Sequence, residues 1–131
     1  MTATLALALG ACGGDGGADV EVFTREDSGI SVQVGERFAI ELDANPSIGD
    51  DWRLVGGVDV GVVELEDQEF TSNEPEAETG GGGVESFVFE AVGTGVTELE
   101  LFNCYRCLER ESPLPEDEPF AETLLFRVTV T

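Results

Sequence analysis

The chain has 131 residues, enough for one domain with a real core, and 28 acids against 6 cations give a net charge of −22. A field this negative disfavours nucleic acid and anionic lipid as partners. There is no His, which removes the Ser-His-Asp, Cys-His and His-metal arrangements together, so no catalytic residue, metal or cofactor is expected. All six cations are Arg, at 25, 37, 53, 106, 110 and 127. Acid excess without Lys fits a protein adapted to high salt, or an acidic secreted protein from a GC-rich genome.

Residues 1–11, "MTATLALALGA", are apolar and uncharged, too short to span a bilayer and similar to the apolar region of a secretory signal. "LGAC", Leu9 to Cys12, resembles a bacterial or archaeal lipobox, with Cys12 as the lipidated residue after cleavage. No basic residue precedes it. Residues 12–19 then read as a flexible Gly-rich tether, leaving 20–131 as the folded domain. The expectation is an exported protein, held at the cell surface or on the periplasmic side of a membrane, and touching that membrane only through Cys12.

From residue 20 onward, period two dominates. "VEVFT" (20–24) and "ISVQV" (30–34) are short alternating runs. "RFAIEL" (37–42) puts Phe38, Ile40 and Leu42 on one face. "WRLVGGV" (52–58) and "VVELE" (62–66) follow, and "QEFTS" (68–72) is expected to pair with the latter. "VESFVFEAV" (84–92) aligns Phe87, Phe89 and Ala91, and "VTELELF" (96–102) turns Leu99 and Leu101 inward with Glu98 and Glu100 outward. "TLLFRVTVT" (123–131) aligns Leu124, Phe126, Val128 and Val130. No amphipathic helix longer than about two turns is visible. Many short strands with Gly-rich turns predict an all-β, immunoglobulin-like antiparallel β-sandwich of seven to eight strands.

Three segments break the pattern. "NPSIGDDW", Asn45 to Trp52, carries Asn-Pro and Gly turn chemistry and an apolar Ile48 where a plain hairpin needs none. "TSNEPEAETGGGG" (71–83) is acidic and ends in four Gly. "CLERESPLPEDEP" (107–119) holds three Pro among acids; its "PEDEP" lacks the spacing of a calcium loop. Loops at the end of a sandwich are where binding residues gather.

Cys104 and Cys107 form "CYRC", with three competing readings. A local disulfide suits an exported protein. A redox pair would want a strand-to-helix context that the chain does not show. Zinc would need two further ligands. The disulfide is the favoured reading, with Cys12 left for lipid.

These three loops, in this order, resemble those of the chagasin-like inhibitors of papain-type cysteine peptidases. Their first loop reads Asn-Pro-Thr-Thr-Gly-aromatic-x-Trp. Here Asn45, Pro46, Gly49 and Trp52 match, Ser47 and Ile48 replace the Thr pair, and Asp50 replaces the aromatic. The second loop is Gly-rich and precedes Phe-x-Phe, as Gly80, Gly81, Gly82 and Gly83 precede Phe87-Val88-Phe89. The third carries Arg-Pro-aromatic and commonly Glu. Arg106 and Glu109 match, with Cys107 in the place of Pro and Leu108 in that of the aromatic. The resemblance covers roughly residues 30–131.

It implies an inhibitor without catalysis of its own, a monomer that inserts its three loops into a peptidase cleft. The first loop would sit over the catalytic cysteine. Asn45, Pro46, Ser47, Ile48, Gly49, Gly80–Gly83, Arg106, Cys107 and Leu108 would be the target-binding residues. Pro46 and Gly49 would stiffen the first loop, Ser47 and Ile48 would form its tip, and Arg106 would face an acid on the target or a neighbouring Glu of its own chain. Trp52, opening a strand, is expected in the core rather than on the contact surface. The alternative is a cell-surface immunoglobulin-like lipoprotein module that binds another protein without inhibiting a peptidase.

Overall fold

The computed structural model describes residues 20–73 and 82–131. The signal-like segment, Cys12, the tether and Gly80 and Gly81 lie outside those residues. Eight strands follow in chain order: β1 (Val20–Phe23), β2 (Gly29–Val32), β3 (Arg37–Ala44), β4 (Trp52–Val55), β5 (Val63–Ser72), β6 (Gly83–Ala91), β7 (Gly95–Asn103) and β8 (Glu122–Val130). They form two four-stranded sheets, β1-β3-β6-β5 and β2-β8-β7-β4.

Alternation explains how the sheets face each other. Phe38, Ile40 and Leu42 of β3, Phe87 and Phe89 of β6, Leu99 and Leu101 of β7, and Phe126 and Val128 of β8 are all buried, while the residues between them, Ala39 excepted, are more exposed. Phe38 and Phe89 are directly paired across β3 and β6, and their rings stack with centroids 5.3 Å apart. Trp52 is buried at 3% exposure, in the core where expected. The expected all-β sandwich is thus the observed fold.

Three details differ from the sequence expectation. β1 pairs with β3, and β2 with β8, in parallel; the other four pairings are antiparallel. The chain crosses to the opposite sheet as β2 and returns as β3, so β1 and β3 run the same way. Second, 62–66 and 68–72 do not pair with each other. Residues 63–72 form the single strand β5, whose register against β6 shifts between Leu65 and Asp67. Such a bulge adds one residue and reverses the alternation. Third, β4 ends at Val55, and Gly56 turns with φ +87°.

Pairing registers then fix where the loops lie. Ala44, at the end of β3, pairs with Gly83 at the start of β6, and Gly83 also pairs with Ser72 at the end of β5. Trp52, opening β4, pairs with Asn103, which closes β7 and also pairs with Glu122 at the start of β8. The β3–β4, β5–β6 and β7–β8 connections therefore leave the sandwich at one end.

Candidate functional site

The β3–β4 loop is built around Asn45. Its side-chain oxygen accepts from the Ser47 N–H and hydroxyl, forming an Asx turn that opens a short 3-10 segment, Pro46–Ile48. Pro46 fixes the first φ of that turn. The Gly49 N–H closes it on the Pro46 carbonyl at 3.1 Å, with φ at +126°. Gly49 is required twice over, because a Cβ there would lie 2.5 Å from Arg106 Cγ and 3.2 Å from the Tyr105 ring.

Asp50 and Asn103 carry a function that reading the sequence missed. One Asp50 oxygen accepts the Asn45 N–H at 2.8 Å, and the other accepts the Asn103 side-chain N–H at 3.0 Å. The Asn103 carbonyl oxygen in turn accepts the Asp51 N–H at 2.8 Å. Asp50, which departs from the resembled signature, thus closes the base of the loop and ties it to β7. Asx chemistry at both positions was the available signal.

The β7–β8 loop lies against the first. Cys104 N–H donates to the Asp51 carbonyl at 2.9 Å and Arg106 N–H to the Gly49 carbonyl at 2.8 Å, so the β4–β7 ladder continues into both loops. Cys104 and Cys107 form the expected disulfide, with Cα atoms 5.5 Å apart. Both cysteines are fully buried. Cys107 is thus a cross-link, and it also lines the groove between the first and third loops. Arg106 and Leu108 both have φ +57°, a left-handed conformation that side chains resist. Within the chain, Arg106 is held by the first loop rather than by a neighbouring Glu. Its Nε donates to the Ile48 carbonyl at 3.3 Å, and its guanidinium lies 5.5 Å from the Tyr105 ring centre.

The tips are apolar and open. Ile48 is 51% exposed and Leu108 is 79% exposed, so neither folds inward. Pro46, Ser47 and Ile48 from the first loop and Arg106, Leu108 and Arg110 from the third line one open groove. On the other flank, Asn45 and Asp50 share a shallow cleft with Asn73 and Gly82 of the second loop. The first loop thus sits between the other two. Gly82 is exposed, and its carbonyl accepts the Asn73 N–H at 3.1 Å. Gly83 is not a loop residue. It is buried at the start of β6, where a Cβ would meet the Thr71 carbonyl at 2.2 Å.

The family model for chagasin family peptidase inhibitors matches residues 31–119. The chain belongs to the chagasin family. That family consists of peptidase inhibitors, not enzymes. Among solved structures, the chain resembles the cysteine protease inhibitor EhICP2 from Entamoeba histolytica at 15% identity and TM-score 0.61, covering 86% of this chain and 95% of that one. It also resembles amebosin, at 21% identity and TM-score 0.56, covering 86% of this chain and 99% of amebosin. PbICP-C, solved in complex with falcipain-2, is similar at 17% identity and TM-score 0.57, over 86% of this chain and 91% of that one. Likeness at these identities concerns the fold. Among curated proteins, none matches the sequence closely enough to count as a relative.

Proposed function

We propose that this chagasin-family domain inhibits papain-type cysteine peptidases by seating the β3–β4 loop over the catalytic cysteine, with the β5–β6 and β7–β8 loops gripping the walls of the cleft. One observation carries the reading. Three loops leave the sandwich at one end, and the central one presents Ile48 on a turn already closed by Asn45, Gly49 and Asp50. A loop ordered before docking loses little entropy on binding. Leu108 supplies apolar contact beside it, and the backbone of Gly80 to Gly82 would approach the cleft wall closely. The family placement and the solved complex of PbICP-C with falcipain-2 support the class of partner.

In this reading the domain acts as a monomer. Cys12 carries the lipid that holds it outside the cell, as "LGAC" suggests. The test is a titration of papain activity with wild type and Ile48→Asp. A carboxylate at the tip loses apolar contact and must be desolvated, so inhibition should weaken by at least roughly tenfold. Absence of inhibition by folded wild type at micromolar concentration would favour a surface module that binds another protein.

A further inference from the structure

Arg53 lies outside every loop described above, on the outward face of β4, yet its guanidinium holds both the first and the third loop. Nε and Nη2 donate to one Asp51 carboxylate oxygen at 3.2 and 2.7 Å. Nη2 also donates to the Leu108 carbonyl at 2.9 Å, and Nη1 to the Arg110 carbonyl at 2.9 Å. A second guanidinium, that of Arg110, donates to the Arg106 carbonyl at 2.8 Å. The carbonyls of residues 106, 108 and 110 therefore all end on Arg side chains.

This alternation matches the backbone. Arg106 and Leu108 are the two non-Gly residues with positive φ among the described residues. Each such residue is strained and persists only where its surroundings over-determine it. The disulfide closes at Cys107, so it constrains Arg106 directly but not Leu108, which lies beyond it. Leu108 lies instead in a turn closed by the Arg110 N–H on the Cys107 carbonyl at 2.9 Å, and the Arg53 contacts at residues 108 and 110 hold that turn against β4.

We propose that Arg53 is a positioning residue for target binding, a clamp that orders residues 108–110 so that the exposed Leu108 is presented in one conformation. Only Arg fits the task. Its planar fork spans a carboxylate and two carbonyls at once, whereas an ammonium group on a shorter stem cannot reach all three. The inference rests on the inhibitory reading for its effect on affinity, but not for its effect on loop order.

The experiment compares wild type, Arg53→Met and Arg53→Lys by amide hydrogen exchange and by papain inhibition. In both variants the Arg110 amide, which donates to the Cys107 carbonyl, should exchange at least about tenfold faster while the amides of β7 and β8 stay protected, and the inhibition constant should rise about tenfold. Unchanged exchange at the Arg110 amide, or unchanged inhibition in both variants, would overturn the proposal. Recovery of wild-type affinity and exchange by Lys would also overturn it, since charge alone would then suffice. If the Met variant does not fold, the Lys variant carries the same two readouts. A wild type that does not inhibit papain would sink the functional reading, and exchange would still decide the role of Arg53.

Discussion

Gly49→Ala tests whether the first loop is held as described. Its φ of +126° is one that a side chain resists, at a cost on the order of 1–3 kcal/mol. The new Cβ would sit 2.5 Å from Arg106 Cγ, so Arg106 must swing away. That motion breaks its bond to the Ile48 carbonyl, worth about 1 kcal/mol. The sum is roughly 2–4 kcal/mol. For a domain of about 110 residues, 1 kcal/mol moves Tm by about 4 °C, so Tm should fall by roughly 8–16 °C. Thermal unfolding followed by circular dichroism measures this, and papain titration below the transition measures the loop. An unchanged Tm would refute the packing of Gly49 against Arg106. A lowered Tm with unchanged inhibition would refute the claim that this loop's shape is what a peptidase reads.

Three further outcomes are expected. The net charge of −22 should make Tm rise with added salt, and equal Tm in low and high salt would contradict this. Glu90 on β6 has its pKa raised, first by its hydrogen bond to Glu66, while Glu66 is lowered chiefly by its bond from Arg37. A raised carboxyl contributes stability that is complete below its ordinary value of 4.5 and lost as pH rises through the folded value. Glu90→Gln should therefore raise Tm at pH 7 in low salt, and the gain should vanish toward pH 4; no gain at pH 7 would count against repulsion within the pair. Reducing the Cys104–Cys107 bridge, which closes so short a loop that it is worth at most about 2 kcal/mol, should weaken inhibition more than it lowers Tm. Equal inhibition by oxidised and reduced protein would show the bridge to be idle.

The core was legible from the sequence because burial in a sandwich follows period two, and the Phe38, Phe87 and Phe126 runs alternate without interruption. β5 looks like two strands in the sequence because its bulge at Leu65–Asp67 reverses the alternation midway. Strand direction was not legible for β1 and β2, since four-residue strands say nothing of their partners. The loops show the same division. Asn45, Pro46 and Gly49 announce themselves by turn chemistry that is local. Apart from the Arg53–Asp51 pair, Asp50, Asn103 and Arg53 act through bonds to residues 5 to 57 positions away, and no short-range pattern encodes these. Cys107 stands where the resembled signature has Pro, and its disulfide to Cys104 is a cross-link that the local CYRC spacing made legible.

The central claim is that the β3–β4 loop covers a peptidase's catalytic thiol. It is tested most directly by following alkylation of papain's active-site cysteine by iodoacetamide with and without the protein. Saturating wild type should slow alkylation in proportion to the bound fraction, and Ile48→Asp at the same concentration should protect far less. Alkylation at the free-enzyme rate while wild type is demonstrably bound to papain would place the loop away from the thiol and contradict the account.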